Sequence, residues 1–247
     1  MECLTDEDGF RIRIAGTGYK QFWECILLDN EITYPHINTF LAGIFEHTDP
    51  LLREMEDYAR RNYIPVIQPE SAQLLKVLCH ISRPERILEI GTAIGYSTIM
   101  LARSMAENGI IDTIEIDEEM IEKAFGYIKR AGLEEKIRII NGDAGEILQC
   151  LGTPYDFIFL DAAKGQYIDF LPHCLRLLKP GGIFITDNVL YRGMVAKDGY
   201  IEHKHRTITV KLKEYLKLLC RNEELTTSIV PAGDGIAICV KTVTESR

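Results

Sequence analysis

An α/β fold, a mostly parallel, doubly wound sheet with an antiparallel C-terminal hairpin strand and extra N-terminal helices, is predicted by three features of the sequence. Past Pro84, short apolar runs alternate with stretches of helical period, the pattern of strands joined by crossover helices. The first of those runs ends in a glycine-rich turn, Gly91-Thr-Ala-Ile-Gly95. The chain closes on two β-rich runs around Pro231-Ala-Gly-Asp-Gly235, a hairpin signal with glycines where positive φ is expected.

The elements follow in order. Ile37, Phe40, Leu41, Ile44 and Phe45 sit at mostly helical spacing and predict a first helix. Asp49-Pro50 is an N-cap followed by a first-turn proline, and Leu51, Leu52, Met55 and Tyr58 mark the apolar stripe of a second. A third starts near Pro69 and runs through Leu74, Leu75 and Leu78. The predicted strands are 86–90, 111–116, 137–141, 157–160 and 183–186, with helices over 98–105, 118–130, 144–151 and 167–178 between them. A long helix over 205–221 precedes the closing strands, 226–230 and 236–241.

A chain of 247 residues makes one large domain or two small ones. Residues 1–30 carry Gly9, Gly16, Gly18 and an isolated Trp23 without sustained period, and are expected to be a loose extension; 31–247 reads as a single domain. With 46% hydrophobic and 26% charged residues the composition is that of a globular protein, not of a disordered, collagenous or coiled-coil chain. The net charge of −9 argues against wholesale binding to nucleic acid and leaves room for a local basic patch. No run approaches the ~20 apolar residues of a membrane span, and the acidic start lacks a secretion signal. The seven cysteines are odd in number, include no C-x-x-C pair and fall partly in apolar runs. They read as reduced and mostly packed, which predicts a cytoplasmic protein without a membrane partner.

Three successive strand ends carry polar chemistry. The G-x-x-x-G spacing of Gly91 and Gly95 is neither the G-x-G-x-x-G of dinucleotide enzymes nor a Walker loop. Glu115 ends the second strand, where a carboxylate can accept from ribose hydroxyls. Asp143, followed by Ala144, ends the third, placed to meet an adenine edge. Taken singly, each also fits a plainer role: an ordinary βα turn, a solvated charge, a helix N-cap. Asp161 ends the fourth strand and Asp187-Asn188 the fifth. Two carboxylates and an amide oxygen at neighbouring strand ends suit a hard cation such as Mg²⁺, and equally suit loop caps. Lys164 follows Asp161 in a glycine-containing turn, where a lysine beside a cation can act as a base or can simply be exposed.

The stretches Glu89-Ile-Gly-Thr-Ala-Ile-Gly-Tyr-Ser97, Leu160-Asp-Ala-Ala-Lys-Gly-Gln-Tyr167 and Thr186-Asp-Asn-Val-Leu190 resemble the cation-dependent class I O-methyltransferases, the family of the catechol and caffeoyl-CoA enzymes. With Leu190-Tyr-Arg-Gly-Met-Val-Ala196 and Val230-Pro-Ala-Gly-Asp-Gly-Ile-Ala237 added, the chain is most similar to the bacterial tRNA 5-hydroxyuridine methyltransferases, over about residues 31–241. The resemblance implies a Rossmann-like class I methyltransferase fold and S-adenosylmethionine as cofactor. Cofactor positions then fall on Ile67, Gly91, Thr92, Gly95, Tyr96, Ser97, Glu115, Asp143, Ala144 and Asp161. It further implies Mg²⁺ or another divalent cation on Asp161, Asp187 and Asn188, Lys164 as general base, and a homodimer. The apolar stripe of the early helices points to a dimer as well.

For the acceptor, the expectation is wobble 5-hydroxyuridine in the tRNA anticodon loop, whose 5-hydroxyl and O4 form a vicinal oxygen pair. Between Arg192 and Arg221 eight lysines and arginines face three acidic residues, and Arg192, Lys204 and Arg206 are candidate phosphate contacts. The alternatives are a small phenolic substrate of catechol or caffeoyl-CoA type, a non-catalytic binding module, and a nicotinamide oxidoreductase. The glycine spacing and the oxygen-only ligand set disfavour the last of these.

Overall fold

The computed structural model describes residues 32–45, 49–197 and 201–243. The expected loose extension at 1–30 lies outside the described residues, as do Cys3 and Cys25. The elements are α1 (Pro35–Ile44), α2 (Pro50–Asn62), α3 (Pro69–Ser82), β1 (Arg86–Ile90), α4 (Tyr96–Ser104), β2 (Ile110–Glu115), α5 (Glu118–Ala131) and β3 (Ile137–Asn141). They continue with α6 (Ala144–Cys150), β4 (Tyr155–Leu160), a 3₁₀ turn (Lys164–Gln166), α7 (Tyr167–Leu177), β5 (Leu178–Thr186), α8 (His203–Arg221), β6 (Leu225–Val230) and β7 (Ile236–Lys241).

The seven-stranded sheet has the order β3-β2-β1-β4-β5-β7-β6. The first five strands in that order run parallel, and β7 joins β5 antiparallel and carries β6 in the same way. The expected doubly wound sheet with its C-terminal hairpin is therefore present. Side chains alternate between two cores. Ile87, Phe157 and Phe159 pack with α2 through α5 on one face; Leu88, Ile90, Ile158 and Leu160 pack with α6, α7 and α8 on the other. In topological terms β1 and β4 are the seam at which strand order reverses, the place where open α/β sheets form a crevice beyond their carboxyl ends.

Local chemistry sets the helix ends. The Asp49 carboxylate accepts from Leu51 N at 2.8 Å and Leu52 N at 3.3 Å, capping α2 with Pro50 at its first position. Asp117 caps α5, which stops at Gly132 with φ +66°. Boundaries moved where glycines misled: β5 starts at Leu178 and not at residue 183, because the chain stays in the sheet through Gly181 and Gly182, with a register irregularity opposite Tyr155 and Phe157. In α1 the apolar stripe does not face the sheet; Phe40 and Ile44 are 65% and 57% exposed. Cys79, Cys174 and Cys239 are buried free thiols, with burial pushing Cys79 and Cys174 up to about 12. No helix among the described residues is long and apolar enough to cross a membrane.

At the end of the sheet opposite the crevice, one buried carboxylate ties four adjacent strands. Asp112 of β2 accepts from Arg138 Nε of β3 at 2.8 Å, from Arg86 of β1 at 3.1 Å and from the Tyr155 hydroxyl of β4 at 2.7 Å. Asp112→Ala orphans a buried phenol and unpairs two arginines that water can still reach. The expected loss is about 2–3 kcal/mol of stability in urea unfolding, with ligand binding at the far end preserved. An unchanged unfolding midpoint would contradict this account of the sheet.

Candidate active site

The site grows from the carboxyl ends of β1, β2, β3, β4 and β5. Gly91 leaves β1 with φ +102°, and a Cβ there would stand 2.0 Å from the Asp161 carbonyl oxygen. Only glycine fits. The residue that crowds this glycine is thus the chain's own Asp161. Gly95, φ +83°, begins α4, and a Cβ there would come within 3.3 Å of the Ala124 side chain of α5.

Beneath the turn lies a carboxylate that the sequence reading treated as an ordinary strand residue. Glu89 is fully buried in β1. Its Oε1 accepts from Ser97 Oγ at 2.6 Å, and its Oε2 accepts from Thr113 Oγ1 at 2.7 Å and from Thr98. Thr92, 2.7 Å from Thr113, extends the hydroxyl chain. Burial pushes the Glu89 carboxyl up to about 7 against the three hydroxyl donors. Tyr96 donates its phenol to Glu56 of α2 at 2.6 Å, joining the start of α4 to the opposite wall.

Glu115 accepts from Ala93 N at 2.9 Å, from Ile116 N at 2.9 Å and from Asp117 N at 3.0 Å, so its carboxylate braces the glycine turn and is more than a solvated charge. Asp143 caps α6 by accepting from Glu146 N at 3.2 Å, with Ala144 next in the chain. The N-cap role and a place in the cleft hold together.

Two ladder bonds bring the acidic ends together. Asp161 N donates to Ile90 O at 2.9 Å and Asp187 N to Leu160 O at 3.0 Å. Asn188 takes φ +57°, and its amide donates to Asp187 Oδ1 at 2.6 Å. Burial pushes both carboxyls up; the charge of Asp161 adds to the effect on Asp187, and the Lys164 ammonium opposes it at both. Asp161, Asp187 and Lys164 therefore lie within one another's field. Asp234, in the β6–β7 turn, joins them: it accepts from the backbone N of Arg192, and burial raises its carboxyl while Lys164 lowers it. Among the described residues no group of three or more His, Cys, Asp and Glu forms a metal cluster. The candidate set is instead two carboxylates and an amide, all oxygen donors.

These groups line one cleft of about 880 Å³, within the ~300–1,000 Å³ range of small-molecule sites. Of the residues expected from sequence, Ile67, Gly91, Thr92, Tyr96, Ser97, Glu115, Asp143, Ala144, Asp161, Lys164, Asp187, Asn188 and Arg192 line it. Gly95, Lys204 and Arg206 do not. Lys204 is exposed and pairs with Glu202 at 3.0 Å, and Arg206 is exposed. Two other members of the basic run turn back onto the protein: Lys211 donates to Gly165 O at 2.7 Å and Lys213 to Lys197 O at 3.2 Å. Glu89, Glu56 and Asp234 were missed. A lone acid inside an apolar strand was a readable signal for Glu89, whereas Asp234 reads as a turn residue and Glu56 as a surface helix charge.

Comparison with known proteins bears on this cleft. Residues 45–242 match the family model described as O-methyltransferase. A caffeoyl-CoA O-methyltransferase from Stellaria longipes is 32% identical over 236 residues, 92% of this chain and 97% of that protein. A catechol O-methyltransferase from Niastella koreensis is 32% identical over 181 residues, 71% of this chain and 81% of its own length. The crystal structure of the O-methyltransferase from Bacillus cereus in complex with SAH superposes with a TM-score of 0.74 at 26% identity, covering 84% of this chain and 97% of that one.

Glu89 supplies a test of the buried network. Its carboxyl is raised from an ordinary 4.5 to about 7. Between those values the folded chain keeps a proton that the unfolded chain releases. The stabilising contribution is therefore full below 4.5 and is lost as pH rises through 7. Glu89→Gln is neutral throughout. The stability of the parent relative to this variant should fall by roughly 3 kcal/mol between pH 4.5 and 8, read from urea unfolding at each pH; a difference independent of pH would contradict the assignment.

Proposed function

The chain belongs to the O-methyltransferase family, and on that premise we propose that it methylates a hydroxyl flanked by a second oxygen, using S-adenosylmethionine and a divalent cation. The observation that carries the reading is the pairing of half-buried Asp161 with fully buried Asp187 in the field of Lys164, at the strand ends next to the glycine turn.

The donor set fits such a cation. Two carboxylates that share the field of one lysine leave a surplus of negative charge, and oxygen-only donors suit Mg²⁺ or a similar hard ion. Asp161, Asp187 and Asn188 would hold it. When bound, the cation would favour the ionised form of the acceptor hydroxyl, and S-adenosylmethionine would supply the methyl group. Lys164 takes the hydroxyl proton at Nζ. Glu115 and Asp143 would meet the ribose and the adenine. Ile67, Thr92, Tyr96, Ser97 and Ala144, with Gly91 and Gly95 shaping the turn, would orient the sulfonium toward the acceptor. Most of the acceleration comes from alignment.

For the acceptor, a small vicinal diphenol or phenol of the kind named in the relatives is the first reading. The second is wobble 5-hydroxyuridine of tRNA, favoured by Arg192 at the cleft and by the exposed Lys204 and Arg206 beyond it. The inward turn of Lys211 and Lys213 reduces the charge available for phosphates.

Incubation with S-adenosylmethionine, Mg²⁺ and either catechol or hydroxyuridine-containing tRNA should methylate one of them. Excess EDTA or Asp161→Ala should cut the rate at least ~100-fold with the thermal midpoint little changed, whereas full activity in EDTA would overturn the reading. Charge reversal at Arg192, Lys204 and Arg206 should weaken methylation of tRNA and spare that of catechol; equal activity on tRNA would remove the second reading. The exposed Phe40 and Ile44 of α1 support a homodimer as well. Light scattering should then return twice the 28.1 kDa chain mass, and the monomer mass at micromolar concentration would rule this out.

A further inference from the structure

We propose that Lys211 is a positioning residue: from the middle of α8 its ammonium clamps the 3₁₀ turn that carries Lys164 and so sets where that amine points. The inference rests on the reading of Lys164 as the proton acceptor.

The turn Lys164–Gln166 closes on a backbone bond, Gln166 N donating to Ala163 O at 2.8 Å. It is three residues long, and its N-cap, Ala163, offers no side-chain hydrogen bond. At its centre sits Gly165, where a Cβ would meet nothing within 4 Å and where the backbone shows no positive φ. Nothing steric requires glycine there, so the chain carries its most flexible residue beside the amine that must be aimed. A further restraint comes from outside. Lys211 Nζ donates to the Gly165 carbonyl at 2.7 Å, across 46 residues of sequence, from a half-buried position. A charge-assisted bond of this kind is stronger than one between neutral groups, and an ammonium half withdrawn from water is held to its acceptor.

The same face of α8 grips the other side of the site. Tyr215 lies one helical turn beyond Lys211, at the i,i+4 spacing that puts two side chains on one face. Its hydroxyl is 2.6 Å from Thr186 Oγ1, immediately before Asp187, and its ring packs on Tyr167 at 5.5 Å. Tyr167 in turn donates to the Asp187 carbonyl at 3.2 Å. One stripe of α8 therefore holds the Lys164 turn through Lys211 and the Asp187 end through Tyr215. Geometry between proton acceptor and carboxylates is kept by a helix that supplies neither of them, and catalytic rates fall steeply with small misplacements.

The test uses the full chain and the variants Lys211→Met, Lys211→Arg and Lys211→Met/Gly165→Ala. Lys211→Met should lower kcat about tenfold while KM for S-adenosylmethionine and for the acceptor stays within about twofold, the signature of lost alignment with intact binding. Lys211→Arg, able to donate to the same carbonyl, should recover most of the loss. Gly165→Ala, sterically free here, should recover part of it by stiffening the turn. Hydrogen–deuterium exchange of the peptide spanning 163–167 provides a readout without catalysis: Lys211→Met should speed it about tenfold and leave peptides of β1 and β2 unchanged. Unchanged exchange would overturn the clamp. So would a kcat equal to the parent's, or equal losses in exchange protection across the whole chain, which would mark a general structural role. A parent that transfers no methyl group would instead defeat the proposed function, and the exchange measurement would still decide whether the clamp exists. Should Lys211→Met fail to fold, Lys211→Leu, which likewise removes the donor, serves in its place with the same expected outcomes.

Discussion

Two backbones meet at the seam between β1 and β4, and much of the molecule follows from how closely they meet. The Asp161 carbonyl occupies the space that a side chain at residue 91 would need. This contact forces glycine at the end of β1 and starts the turn into α4. It also locks the first residue beyond β4 against that turn. The glycine turn and the acidic strand ends are therefore built on a shared backbone junction, at the reversal of strand order where such sheets open a crevice. The strand ends on either side, with Glu115 toward one edge and Asp187 toward the other, then fall into one cleft by register alone.

That junction concentrates charge in poor solvent. Glu89, Asp161, Asp187 and Asp234 are all pushed toward neutrality by burial, and the opposing forces differ. Glu89 is met by three hydroxyls and lies beneath the glycine turn. Asp161 is met by Lys164, and Asp187 by the Asn188 backbone N–H and then by Lys164, which leaves an electrostatic deficit that a hard cation is suited to fill. The opposite end of the sheet shows the contrasting solution: Asp112 is buried too, but it has two arginines and a phenol of its own and closes the strands together. Satisfied carboxylates hold the fold at one end, and under-satisfied ones mark the functional cleft at the other.

The fold was largely legible in the sequence because a parallel sheet writes itself as apolar runs of strand length between helical periods, and because the acids at strand ends interrupt those runs at countable places. Helix starts at Asp49 and Asp117 were equally local. What failed to show depends on distant partners. Glu89 acquires its role from Ser97, Thr98 and Thr113 converging on it. Asp234 looks like any hairpin aspartate until the Arg192 backbone reaches it. Lys211 sat in a run counted as basic surface, yet its direction is set by how α8 packs against the 3₁₀ turn, which periodicity does not encode. The early boundary at Gly181-Gly182 was a misread of local punctuation: strand pairing overrode it.

The central claim is that the seam gathers a cofactor site and a divalent-cation site in one cleft. Titrating Mn²⁺ into the full chain in the presence of saturating S-adenosylmethionine, followed by electron paramagnetic resonance, tests it most directly. The account predicts one bound Mn²⁺ per chain, absent when Asp161 and Asp187 are both replaced by alanine. No bound Mn²⁺ in the parent, or equal binding in the double variant, would contradict it.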